Sequence, residues 1–139
     1  MSEERFEKWV MPKIEEKKLH PKYFFLVQYK HNLKLGVKTD IGAFNYINAK
    51  NGVEIGDFVQ IGSHCSIYSD STIDNKKGKV VLKKNARIGS HSVVMPGVTV
   101  GENSIIGALS FVNKDIPANV LAFGIPAKVV RKLKQEELE

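Results

Sequence analysis

From Leu82 onward the chain divides into consecutive six-residue blocks: LKKNAR, IGSHSV, VMPGVT, VGENSI, IGALSF and VNKDIP. Each block opens on an aliphatic residue, namely Leu82, Ile88, Val94, Val100, Ile106 and Val112. The fifth position is small or aliphatic throughout, occupied by Ala86, Ser92, Val98, Ser104, Ser110 and Ile116. A second run, IGDFVQ, IGSHCS and IYSDST, opens on Ile55, Ile61 and Ile67; Ile73 continues its phase, and Ile41 and Ile47 hint at an imperfect start. Such a repeat outranks other signals, because a missed period misassigns the whole fold.

A period of six matches neither the 3.6 of a helix nor simple alternation over a long window. Short strands joined by corners produce it. The first and fifth residues of a block both point inward by period-2 alternation, and glycine at the second position (Gly56, Gly62, Gly89, Gly101, Gly107) permits close backbone approach. The predicted fold is therefore all-β, a parallel β-helix whose coils lie about 4.8 Å apart, so that roughly four coils make a prism about 20 Å tall. A solenoid of this kind has a thin core, and each coil depends on its neighbours.

Two segments fall outside the repeat. Residues 2–18, with Phe6, Trp9, Val10 and Ile14 among many charges, read as a helix with one apolar stripe that Pro12 breaks or bends. Tyr23 to Val27 reads as a short apolar strand, and Ala127 to Leu138, basic and then acidic, as a terminal helix following AFGIPAK. The expected division is a helical or extended cap at 1–36, a β-helix at 37–126 and a C-terminal helix or tail at 127–139.

Composition narrows the function. With 139 residues, 42% hydrophobic and 26% charged, the chain is that of one soluble globular domain. The single cysteine, Cys65, excludes an internal disulfide framework and a multi-cysteine zinc site, and reads as a small buried side chain in a reducing compartment. The N-terminus is polar and acidic, and no apolar run approaches the roughly 18 residues of a membrane span. The expectation is a cytoplasmic protein with no membrane partner. A net charge of +6 favours anionic ligands, including nucleotides and coenzyme A. Lysine and arginine are dispersed rather than gathered around an aromatic reading surface, which argues against a nucleic-acid partner.

The run RIGSHSVVMPGVTVGENSIIGALSFVNKDIPANVLAFGIPAKVVRK, Arg87 to Lys132, resembles the terminal coils of the hexapeptide-repeat acyltransferases, in the branch of the galactoside and maltose O-acetyltransferases. That resemblance implies a left-handed β-helix, a homotrimer, and acetyl-CoA as donor to a sugar or nucleotide-linked amino sugar, with no metal. Carried over motif by motif, it implies coenzyme A contacts at Ser90 of IGSH, Ala108 of IIGA, Asn113 and Lys114 of VNKD, Lys128 of PAK and Arg131 of VVR. Cations at these places suit phosphates, and strand-like backbone groups suit the amide-rich pantetheine arm.

Acyl transfer from a thioester needs the acceptor's proton removed, and histidine is the usual base. In the resembling sugar O-acetyltransferases that histidine lies on a loop after the coil corresponding to Ile67. Here the interruption, DSTIDNKKGK at 70–79, contains none. The candidate bases are instead His64 in IGSHCS and His91 in IGSHSV, 27 residues apart, which is one coil of three hexads plus nine. A nine-residue excursion stacks them on successive coils; a regular hexad at Ile73 puts them on different faces. Either histidine can equally be a corner residue bonded to backbone.

Asp70, Asp74 and Asn75 on the interruption, with Asn45 and Asn48 of FNYINA, are candidates to orient an acceptor's hydroxyls or amine, against ordinary turn chemistry. Tyr46 or Phe44 offers a ring for stacking. Two rival readings remain: a zinc enzyme of the γ-carbonic anhydrase kind, which needs more histidines than His64 and His91 supply, and a non-catalytic β-helix for assembly or binding.

Overall fold

The computed structural model describes residues 7–138. The backbone winds through about five turns of an all-β solenoid, consistent with a left-handed β-helix. Each full turn gives one short strand to each of three parallel sheets. The first face stacks Leu26–Gln28, Tyr46–Asn48, Ser66–Tyr68, Val93–Val94 and Phe111–Val112. The second stacks Leu33–Leu35, Val53–Ile55, Val80–Leu82 and Thr99–Val100, with Ile116 bridged to Val100. The third stacks Asp40–Ile41, Gln60–Ile61, Arg87–Ile88, Ile105–Ile106 and Val120–Gly124.

The hexad pattern explains this winding. Its first and fifth residues fill the interior: Val94, Val100, Ile106 and Val112 are fully buried, and so are Ala86, Ser92 and Ser104. In-register stacking puts Ile47 over Ile67, Ile67 beside Val94, and Val94 beside Val112, so like meets like along the axis. The inward serines do not break this core, because each hydroxyl donates to a backbone carbonyl, as Ser110 does to Gly107 at 2.6 Å. One full turn is 20 residues from Tyr46 to Ser66 but 18 from Val93 to Phe111. Two extra residues per turn hide the hexads upstream.

At each corner the chain reverses through left-handed backbone. Between the third and first faces the residues involved are Phe24, Phe44, His64, His91 and Leu109; between the second and third they include Phe58, Asn85, Asn103 and Asn119. The asparagines suit that conformation and also ladder their amides, Asn85 to Asn103 at 3.0 Å and Asn103 to Asn119 at 2.7 Å. Gly89 is required for another reason: a Cβ there would lie 2.5 Å from the Ala108 nitrogen of the next coil.

Three expectations are corrected. The described part of the N-terminal segment, from residue 7, contains no helix; the rest of the expected helix, including Phe6, lies outside the described residues. The segment is a strap across the open end, tied by the Trp9 indole donating to the Thr39 carbonyl and by Glu16 accepting from the Tyr29 and Lys30 amides. Those two amides hold the Glu16 carboxyl below its ordinary range. Pro12 and the charged stretches around it defeat the apolar stripe.

The C-terminal helix is also absent. Ala127–Lys132 is a strand running antiparallel to Val120–Gly124, and only Gln135–Leu138 forms a short 3-10 turn. The β-branched pair Val129–Val130 suits a strand, and the last coil presents an open edge that the returning chain covers. Finally, Ile73 does not continue the repeat. The nine extra residues of the third turn form a hairpin, Asp70–Ser71 against Lys76–Lys77, and Ile73 projects from it 99% exposed. The short strand expected at 23–27 is observed as Leu26–Gln28, with Phe24 at a corner instead.

Candidate functional site

Outward residues of the first face and the hairpin enclose a cleft of about 610 Å³. Its floor carries Gln28, Tyr46, Asn48 and Tyr68; Met95 and Phe111 extend it, and Asp70 to Asp74 overhang it. Alternation explains the placement. Ile67 and Ser69 point inward and are fully buried, so Tyr68 and Asp70 fall on the outside of the same strand path. The Tyr46 and Tyr68 rings lie 5.8 Å apart at 50°, forming a tilted aromatic wall. The Tyr46 hydroxyl bonds the Gln28 side chain, and the Asn48 amide reaches that hydroxyl at 3.4 Å.

Asp70 is only 7% exposed and stands 3.9 Å from the Lys50 ammonium. Asp74, in contrast, is tied within the hairpin: Ser71 donates to it at 2.6 Å and Lys76 lies 3.8 Å away. Asn75 sits at the exposed hairpin end with φ 53°, where turn chemistry accounts for it. Asn45 is corrected as an acceptor contact: it is 1% exposed and donates to the Gly42 and Gly62 carbonyls at 2.7 and 2.8 Å. Its amide pins a corner.

The two histidines stack on successive coils, with ring centroids 4.8 Å apart and planes 7° from parallel. The nine-residue excursion thus decides the alternative left open by their spacing. Phe44 packs on His64 at 5.3 Å and Phe24 on Phe44 at 6.3 Å, so one corner carries a column of rings. The column is exposed, and it lies at the rim of the first face, outside the cleft lining. Phe44 is therefore a corner residue, while Tyr46 faces the cleft.

The residues matched to coenzyme A contacts form two groups. Ser90 and Ala108 follow the histidine column: the Ser90 carbonyl accepts from Leu109, and Ala108 backs onto Gly89. Lys128 lies on the same side through its strand partner Phe123, whose side chain packs over Gly107. Asn113 and Lys114 stand exposed at the far end of the first face, just beyond Phe111–Val112. Arg131 is engaged within the chain: its guanidinium makes two bonds to Glu137, at 2.7 and 3.1 Å, pulling that carboxyl down to about 2.

Cys65 is 1% exposed, its thiol directed to the Gly89 carbonyl at 3.2 Å, and burial pushes its pKa up. It lines the interior, not the cleft. Among the described residues no group of three or more His, Cys, Asp or Glu is placed to hold a metal ion. Sequence reasoning missed Gln28, Lys50, Tyr68, Met95 and Phe111 as cleft residues. Their signal was the outward position beside a buried aliphatic one, as Tyr68 follows Ile67, but only in-register stacking shows which outward residues share a face.

Residues 79–114 match the bacterial transferase hexapeptide (six repeats) family. Over 58 residues, 42% of this chain and 29% of the relative, the sequence is 50% identical to galactoside O-acetyltransferase of Escherichia coli. The chain spans less than half the length of the curated relatives it matches. Its fold is similar to a hexapeptide-repeat-containing acetyltransferase of Vibrio cholerae complexed with acetyl coenzyme A, at 28% identity and TM-score 0.74, covering 80% of this chain and 66% of that one. It is also similar to an N-acyltransferase of Bacillus cereus in complex with dTDP-4-amino-4,6-dideoxyglucose and coenzyme A, at 26% identity and TM-score 0.58, covering 81% and 72%. Residues 79–114 thus carry a bacterial transferase hexapeptide repeat, and the chain is similar to the galactoside O-acetyltransferases in sequence and to the hexapeptide-repeat acetyltransferases in fold.

Proposed function

We propose that the protein is an acetyl-CoA-dependent acyltransferase acting on a sugar or a nucleotide-linked amino sugar. The observation that carries the reading is the continuity of the cleft with the matched repeat: Met95 and Phe111, within residues 79–114, line the same cleft as Tyr46, Tyr68 and Asp70. A donor held by the terminal coils and an acceptor on the aromatic floor then share one space. The acetyl-CoA complex of the Vibrio cholerae protein and the nucleotide amino-sugar complex of the Bacillus cereus protein support both halves.

In this reading Ser90 and Ala108 present backbone to the pantetheine arm, and Asn113, Lys114, Lys128 and Arg131 meet the phosphates. Tyr46, Asn48 and Asp70 orient the acceptor, whose nucleophile adds directly to the thioester carbonyl. Backbone N–H groups stabilise the oxyanion, and His64 or His91, at the rim of the first face rather than in the cleft lining, accepts the proton of an acceptor that reaches the corner. The working assembly is a cytoplasmic homotrimer. Its support is the exposed column that includes Phe44 and Leu109, 56% and 66% exposed, on a solenoid with a thin core.

Calorimetric titration with acetyl-CoA and with free coenzyme A tests the reading. Micromolar binding at about one site per chain, weakened about tenfold by Lys114→Ala, is expected. No heat of binding from a folded, assembled protein overturns it and leaves a scaffold.

A further inference from the structure

We infer that Asp70 is the specificity-determining residue of the acceptor cleft, and that it selects a primary amine over a hydroxyl. The inference rests on the acyltransferase reading and sharpens its acceptor. Asp70 is the one carboxylate among the buried residues of the described chain. It is buried by the hairpin that begins at it, yet it belongs to the cleft lining beside Tyr68 and Asn48. Burying a carboxylate is unfavourable unless a cation or donors compensate.

The cation present compensates it poorly. Lys50 stands 3.9 Å away, beyond the roughly 2.7–2.9 Å of a charge-assisted hydrogen bond, and its own side chain is half exposed. An acceptor's amino group brought over the Tyr46–Tyr68 wall makes the closer contact. The other carboxylate of the hairpin that lines the cleft, Asp74, is already bonded by Ser71 and is 41% exposed, so it does not offer the same buried charge.

The chemistry favours nitrogen. As the neutral amine adds to the thioester carbonyl, the C–N bond forms and positive charge develops on nitrogen, where an adjacent carboxylate stabilises it. The excess proton leaves the nitrogen to the base, the C–S bond breaks, and the departing sulfur of coenzyme A takes up a proton. The products are the amide and free coenzyme A. A hydroxyl acceptor is deprotonated as it adds, so little positive charge develops and the Asp70 carboxylate gives it no comparable help.

The test uses the full chain, acetyl-CoA, and two probes: dTDP-4-amino-4,6-dideoxyglucose and its counterpart bearing a hydroxyl at carbon 4, with release of free coenzyme A as the readout. Wild type is expected to turn over the amine at least about 100-fold faster than the hydroxyl, and Asp70→Asn to lose about 100-fold in kcat/KM on the amine. Asp70→Glu should recover part of that loss, while acetyl-CoA affinity stays unchanged in both variants. Equal turnover of the two probes, or an Asp70→Asn protein as active as wild type on the amine, overturns the inference with the acyltransferase reading intact. Absence of acetyl-CoA binding by wild type overturns both. Loss of acetyl-CoA affinity in Asp70→Asn together with Asp70→Glu overturns the selective role, since the residue is then structural.

Discussion

His64 and His91, 27 residues apart in sequence, lie ring on ring at 4.8 Å because a nine-residue hairpin leaves the solenoid and returns to it in register. Had the extra residues been absorbed into the coil, Ser66 would not pair with Val93, and the two imidazoles would stand on different faces. A local excursion thus sets the geometry of a distant corner.

If one of these imidazoles is the base, replacing it with asparagine should lower kcat by about 10²–10⁴. Acetyl-CoA affinity should hold in the His64 variant, since His64 is one coil away from Ser90. Steady-state kinetics of His64→Asn and His91→Asn decide between them. Wild-type kcat in both removes histidine from the chemistry.

Cys65→Ala should leave turnover unchanged. The thiol is buried and donates to the Gly89 carbonyl, and burial raises its pKa, which disfavours the reactive thiolate. Alkylation of the native protein by a neutral thiol reagent should accordingly be far slower than that of the denatured chain, as mass spectrometry can record. A variant that folds and assembles but has lost activity would show that the Cys65 thiol takes part in turnover.

Gly89→Ala and Gly97→Ala separate two roles of glycine. At Gly89 the new methyl meets backbone atoms of the next coil at 2.5–2.8 Å, and about 3 kcal/mol of stability should be lost. At Gly97 nothing lies within 4 Å, and only the positive φ of 83° is strained, for about 1 kcal/mol. Denaturant melts of the two variants compare them directly. The reverse order would mean that the coils do not pack as closely at Ala108 as described.

The Arg131–Glu137 pair gives a pH signature. Glu137 titrates at about 2 in the folded chain against an ordinary 4.5, because Arg131 and the Lys134 amide bond its carboxylate. The contact therefore stabilises the C-terminal turn fully above about 4.5 and loses its effect as pH falls from there through about 2. Protection of the Leu133 amide, bonded to Asn119, relative to its intrinsic exchange rate should fall over that range and not at neutral pH. Glu137→Gln should also release Arg131 for phosphate and tighten acetyl-CoA binding severalfold at low salt. Unchanged affinity would take Arg131 out of the donor site.

The inward residues were legible in the chain itself. Leu82, Ile88, Val94, Val100, Ile106 and Val112 recur every six residues, a spacing that only short strands with corners can use to bury one side. The upstream turns were less legible because 20-residue coils, such as Tyr46 to Ser66, carry two residues more than three hexads. The ends were misread for a different reason: an apolar stripe such as Trp9, Val10 and Ile14 is compatible with helix, but the open mouth of the solenoid is closed by tying side chains and amides to it, Trp9 to Thr39 and Glu16 to Tyr29.

The site divides along the same line. Sequence alone determined the coil and the inwardness of Cys65, since these follow from local alternation along a single strand. Tertiary structure decided that Asn45 is a buried corner brace and that Arg131 is held by Glu137. It also brought Tyr46, Tyr68 and Asp70 into one cleft. These are relations between coils, fixed by register and by a hairpin whose length, rather than whose composition, sets what stands above what.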